Sequence, residues 1–174
     1  MSTNLSADIG LLRSDVEDFY FEEADLLDNY LLREWLDLLT DNVKYRIPIR
    51  VNRTERGRSV SRLSETDMLL DDDKRALTQR AVRLETGRAW AEEPRSRSRH
   101  LVTNVRVGAT APDGDVSVSS NFIAYRNRLD VEADFYVGRR QDTLRVVNGS
   151  LKIASRLILL DQAVLTAKNM TILF

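Results

Sequence analysis

Cysteine is absent from the 174-residue chain, and histidine occurs once, at His100. The first absence excludes disulfides, thiolate zinc sites, iron–sulfur clusters and thiol nucleophiles together. The second excludes a two-histidine metal face built by one chain. No run approaches the ~18 apolar residues of a membrane span, and residues 1–13 lack the basic and apolar regions of a signal peptide. The expected compartment is therefore the cytoplasm. Charge of one sign is lacking as well: 26 basic side chains stand against 27 acidic ones, for a net charge of −1. A phosphate backbone needs a basic surplus, so nucleic acid is not an expected partner. The seven glycines are too dispersed for a phosphate-binding loop, and no G-x-S-x-G elbow occurs.

What is present is apolar enough, at 43%, to bury a sizeable core in one domain. The basic residues are 22 Arg and only 4 Lys. Arginine's planar fork suits partly desolvated carboxylate pairs and protein interfaces, so the bias is compatible with a subunit. A GC-rich genome would produce the same bias.

The pattern along the chain puts helices first and strands afterwards. Residues 1–13 read as an N-terminal arm, and 14–174 as a single domain with no repeat or linker. Ser14 and Glu17 have the spacing of a capping box. Val16, Phe19, Tyr20, Glu23, Leu26, Leu27 and Tyr30 follow at mainly helical spacing, and a second helical stretch runs over 31–39, broken from the first near Asp28-Asn29. From Val43 to Val51 the period becomes two, which predicts a strand with Val43, Tyr45, Ile47, Ile49 and Val51 inside and Lys44, Arg46 and Arg50 outside. Pro48 marks an edge or a bulge. Residues 53–65 read as a polar loop. A third helix is expected from Asp71-Asp72-Asp73, whose carboxylates suit the positive helix end, to Gly87. Strands are expected over 96–107, 116–128, 131–137, 143–147 and 151–160, with turns at Asp113-Gly114 and Asn148-Gly149. Helices followed by a largely antiparallel sheet make an α+β domain.

Few residues carry chemistry. On a strand, Arg95, Arg97 and Arg99 share one face, while Ser96, Ser98, His100, Val102 and Asn104 share the other. The arginines suit a docking face for carboxylates of a partner, or a solvated edge. His100 is open to two readings, a general base in a pocket or a hydrogen-bonded residue near a subunit contact. Trp90 is a candidate interface anchor, and Trp35 a core residue.

Several segments together resemble the small (β) subunit of aromatic-ring-hydroxylating dioxygenases. They are the run from Arg83 to Glu92, Pro94 to His100, Thr103-Asn104-Val105, Asp71-Asp72-Asp73, Tyr125 to Arg128, Gly138 to Asp142, and Ile158 to Leu165. Leu151 stands where that family commonly has Trp. The resemblance implies a nuclear-transport-factor-2-like (SnoaL-like) cone, with N-terminal helices packed in a strongly curved mixed, mostly antiparallel sheet. It further implies a non-catalytic structural role, with three small chains assembled with three large catalytic (α) chains and with one another. The Rieske [2Fe–2S] cluster and mononuclear Fe(II) would sit in the large chain, which would perform O2-dependent cis-dihydroxylation of an arene. Its electrons would come from NADH through a reductase and ferredoxin. Expected in this chain are no catalytic, metal-binding or cofactor-binding residues, and subunit contacts at Trp90, Arg95, Arg97, Arg99 and His100. The alternative is a free-standing cone-fold enzyme like the polyketide cyclases or ketosteroid isomerases, with Tyr45, His100 and Asp134 as acid–base candidates.

Overall fold

The computed structural model describes residues 12–55, 58–86, 95–129, 132–163 and 172–174, with the backbone alone at 53–55, 59 and 60. Helix α1 spans Arg13–Asp28 and α2 spans Leu32–Asp37. Between them Tyr30 adopts φ 57°, while Leu31 N–H reaches Leu26 O at 2.9 Å and Tyr30 N–H reaches Leu27 O at 3.2 Å. This is a Schellman stop with tyrosine in the left-handed position that usually takes glycine. Its hydroxyl donates to Ser96 O at 2.9 Å, which holds the strained residue in place. At the other end the Ser14–Glu17 capping box does not form. Asp15 accepts Leu12 N–H at 3.0 Å, and Glu17 instead pairs with Arg13 at 2.7 Å.

Strands β1 (Leu39–Glu55) and β2 (Arg58–Asp72) precede α3 (Lys74–Glu85); β3 (Arg97–Thr110), β4 (Val116–Arg128), β5 (Glu132–Val147) and β6 (Ser150–Leu160) follow it. They form one six-stranded sheet ordered β2-β1-β6-β5-β4-β3, antiparallel except for the parallel β1–β6 pair. The α+β architecture and the mixed, mostly antiparallel sheet are those expected. Helix α1 packs against the inner face, where Val16, Phe19, Tyr20 and Leu27 join Tyr45, Phe122, Tyr136 and Ile158 in one core.

The alternation read along β1 holds through Val43, Tyr45 and Ile47, all buried, and then reverses. The β1–β2 register shifts on both sides of Pro48, so Pro48 is buried and Ile49 is 38% exposed. Proline has no N–H for the ladder, and the bulge that accommodates it changes which face the following residues take. Where a loop is expected over 53–65, residues 53–55 and 58–65 are instead the arms of the β1–β2 hairpin. The polarity misleads because the side chains described there, at 58 and 61–65, are exposed or half-buried. Likewise the two strands expected over 131–137 and 143–147 are one, β5. The charged stretch between them lies within the sheet, with Arg140 and Asp142 pointing inward and buried. Helix α3 begins one residue later than the aspartate run suggests. Asp73 is its N-cap and accepts Ala76 N–H at 2.8 Å, whereas Asp72 belongs to β2 and pairs with Arg80. Gly87 lies outside the described residues.

At Gly138 the β5 backbone closes on β6, so that an added Cβ would sit 2.4 Å from Leu159 O. Gly138→Ala must push the two strands apart, and the expected cost is about 1–3 kcal/mol, read as a lower urea midpoint with unchanged slope.

Candidate functional site

The interior of the curved sheet is occupied by charge. Arg156, on β6, is fully buried and uses every donor it has. Its Nη1 donates to Glu23 Oε1 (2.5 Å) and Phe174 O (2.7 Å), and its Nη2 to Glu23 Oε2 and Asp142 Oδ2 (both 2.8 Å). Its Nε donates to Asp142 Oδ1 at 3.0 Å. Arg140, on β5 two residues before the register partner of Arg156, adds a 3.1 Å bond to Glu23 and lies 4.7 Å from the Tyr20 ring centroid. Tyr20 OH donates to Asp142 at 2.8 Å, and Trp35 Nε1 to Glu23 at 3.1 Å. Two guanidinium groups thus neutralise two carboxylates. Burial by itself would raise the Glu23 pKa, but Arg156 and Arg140 outweigh it and hold the carboxyl below its ordinary range. Burial, followed by the Asp142 charge, pushes the Tyr20 phenol far up, so it remains a donor. Phe174 closes the space, its ring 5.3 Å from Phe122 and 5.2 Å from Tyr136.

The three acid–base candidates are not gathered around a substrate-sized cavity. Tyr45 OH donates to Phe174 O at 2.6 Å and accepts Phe174 N–H at 2.7 Å. Asp134 accepts Arg126 Nε and Nη2 at 3.2 and 3.0 Å. His100 Nδ1 faces Asp28 Oδ1 at 2.6 Å, and its Nε2 donates to Leu173 O at 2.8 Å. The imidazole is 5% exposed and borders a cavity of about 30 Å³, the room of a single water. Burial would raise the Asp28 pKa, but the hydrogen bonds from His100 outweigh it and lower it. His100 therefore ties the end of α1 to β3 and to residue 173.

Among the described residues, no helix or strand packs over the outer face of the sheet. Cross-strand register aligns its side chains in rows. Leu101, Ile123 and Val137 form one row and Arg99, Tyr125 and Phe135 the next. Leu101 is 52% exposed and Phe135 60%, with the Phe135 and Tyr125 rings 5.0 Å apart. Gln162 completes this end of β5 beyond its pairing with β6. Its side-chain amide donates to Phe135 O at 2.8 Å and accepts Val137 N–H at 3.3 Å, as a strand residue would. Further along, Arg46, Leu157, Gln141, Ser119 and Arg106 align across five strands. Of the expected contact residues, Arg95, Arg97 and Arg99 are exposed beside the apolar rows, whereas the His100 side chain points to the interior. Trp90 lies outside the described residues. The apolar rows escaped the sequence reading, although Phe135-Tyr136-Val137 carried the signal: consecutive apolar residues on a strand demand cover on both faces.

The interior cluster yields a stability prediction. Glu23→Gln leaves two buried guanidinium groups with one carboxylate between them, and the expected loss is about 3–5 kcal/mol, measured by urea unfolding at neutral pH. Glu23 and Asp28 have folded pKa values below their unfolded ones. Their stabilisation is therefore complete above the unfolded pKa of about 4 and disappears as pH falls through the folded values. The acid limb of the stability curve should be shallower in Glu23→Gln.

The same molecule can be compared with known proteins. The profile of the ring hydroxylating beta subunit family matches residues 22–167. Over 165 residues the chain is 41% identical to the 3-phenylpropionate/cinnamic acid dioxygenase subunit beta of Photorhabdus laumondii, covering 94% of this chain and 92% of that one. Among solved structures, naphthalene 1,2-dioxygenase with indole bound in the active site superposes with a TM-score of 0.81 at 23% identity, over 92% of this chain and 84% of that one. The beta subunit of benzoate 1,2-dioxygenase from Burkholderia mallei gives a TM-score of 0.69 at 21% identity, over 85% of this chain and 89% of that one. A profile spanning most of the chain and a relative this similar along its length place it plainly: the protein belongs to the family of ring-hydroxylating dioxygenase beta subunits.

Proposed function

We propose that the chain is the non-catalytic structural subunit of a cytoplasmic, O2- and NADH-dependent aromatic-ring-hydroxylating dioxygenase, inactive by itself. The observation that carries the reading is the filled interior. Where a cone-fold enzyme would need room for a substrate, this chain has Glu23, Arg140, Asp142, Arg156 and Phe174 bonded to one another. A Rieske centre also needs two cysteines and two histidines, and a mononuclear iron site a histidine pair with a carboxylate. With no cysteine and one histidine, this chain fits neither group. Both belong in this reading to a large catalytic chain, three copies of which join three of this one, with ferredoxin and reductase feeding electrons to the large chain.

The exposed rows of Leu101, Ile123, Val137, Tyr125 and Phe135 support the partner reading, because a monomer rarely leaves a large contiguous apolar and aromatic patch exposed. We assign this half of the outer face to the large chain, with Arg95, Arg97 and Arg99 at its rim and Trp90 nearby in sequence. His100 acts on it only indirectly, by anchoring β3.

Two expected outcomes test this. Ile123→Asp combined with Phe135→Asp leaves the isolated chain folded by circular dichroism but abolishes co-purification of the co-expressed large chain; undiminished co-purification contradicts the assignment. In the purified assembly, His100→Ala lowers the melting temperature, since each lost hydrogen bond is worth about 0.5–1.5 kcal/mol, but leaves turnover per iron intact. Loss of a general base would instead reduce the rate by about 100- to 10,000-fold.

A further inference from the structure

The basic half of the outer face differs in kind from the apolar half. Arg46, Arg106 and Arg139 line a trough of about 490 Å³ floored by Ser117, Ser119 and Thr143. The chain's other exposed or half-buried arginines commonly find a carboxylate: Arg80 has Asp72, Arg128 has Glu132, and Arg145 holds Asp115 through two bonds of 2.7 Å. None of the three trough arginines makes a side-chain hydrogen bond or ion pair with another described residue, and Arg46 Nε is buried without a partner. Asp142, the acid in the trough wall, is spent on Arg156 and Tyr20. Asp71 pairs in register with Arg46 across β1–β2 but forms no ion pair with it. A buried guanidinium donor without an acceptor is costly, and completion by a carboxylate from outside relieves that cost.

The chain itself carries a matching surface. On α1 the residues Asp15, Asp18, Glu22 and Asp25 are all exposed and follow at spacings of three, four and three, which puts them in one stripe opposite the buried face. Asp18, Glu22 and Asp25 have no cation partner among the described residues. From Asp15 to Asp25 the stripe is about 15 Å long at the helical rise. The row from Arg46 to Arg106 crosses four strand spacings, about 19 Å. Phe21 is 50% exposed beside the stripe, and Leu157 is the apolar residue of the row, next to Arg46.

We propose that the arginine trough of one small chain receives the acidic stripe of α1 from a second copy, through carboxylate–guanidinium pairs at Arg46, Arg106 and Arg139. Trough and stripe are different patches, so the contact is head-to-tail, and in an assembly of three small chains it closes as a ring. The inference rests on the three-small-chain assembly proposed above and names the surface through which those copies meet.

Because the chain has no cysteine, the contact can be tested by cross-linking. Small chains carrying Arg106→Cys and others carrying Asp18→Cys, each with its own tag, are co-expressed with the large chain and oxidised. A cross-linked pair of small chains carrying both tags is expected in the mixture and not with either variant alone. Arg106→Glu with Arg139→Glu should weaken association between small chains about tenfold or more, and Asp18→Arg with Glu22→Arg in the same chain should restore it. If the large chain co-purifies but neither cross-link nor charge effect is seen, the trough proposal is overturned while the subunit reading stands. Loss of assembly that the reciprocal swap fails to rescue also overturns it, pointing to an acidic segment of the large chain as the occupant. If the unsubstituted chain captures no large chain, the subunit reading fails, and cross-linking of the small chains alone still decides the trough.

Discussion

Arg156 and its five hydrogen bonds tie β6 to three parts of the chain at once: α1 through Glu23, β5 through Asp142, and residue 174 through its carbonyl. Burying such a group is expensive, and the attraction of one carboxylate does not generally offset it. Here the geometry is complete, with two carboxylates, a carbonyl and a second arginine balancing the charge. An apolar core of the same volume could match its stability. What it could not match is specificity of placement, because a five-donor fork accepts one arrangement of acceptors. We regard the cluster as the device that fixes α1 against the sheet and holds Phe174 in the space that remains.

That use of the interior determines what the rest of the molecule is free to do. A curved sheet wrapped over a helix can surround a reaction chamber or can be filled. In this chain the histidine, Tyr20, Tyr45 and the inward carboxylates are committed to neighbouring side chains or to main-chain groups. Among the described residues, most of what remains open lies outside, in the exposed aromatic rows and the three arginines without acceptors, while Arg140 Nη2 is an inward donor that also has no partner. The inner face supplies rigidity, and the outer face presents a platform whose rows are set by strand register. The apolar half suits one kind of partner and the charged half another, so one sheet can be shared between two neighbouring chains.

Legibility in the sequence followed the physics of each element. Helix α1, the first half of β1, the N-cap at Asp73 and the Asn148-Gly149 turn rest on local causes, namely periodicity, a capping carboxylate and positive φ angles of 52° and 82°. They could be read from a few adjacent residues. The misreadings share one cause. Arg140 and Asp142 look like a polar loop because their partners, Glu23 and Arg156, lie 117 and 14 residues away in the chain. The β1–β2 hairpin arms look like a loop because polar residues on both faces hide a period of two.

The sequence by itself determined the α+β class, the resemblance to the β-subunit family and the exclusion of a self-contained Rieske or histidine-rich iron site. Those follow from composition, from local spacing and from motifs that survive as strings of letters. Only the tertiary structure decided that the interior is closed by a neutral ionic cluster, that His100 is held between Asp28 and Leu173, and that the outer face divides into apolar and basic halves. Each depends on strand register and on pairs far apart in the chain, and one residue of slip in register would send every side chain of a strand to the opposite face.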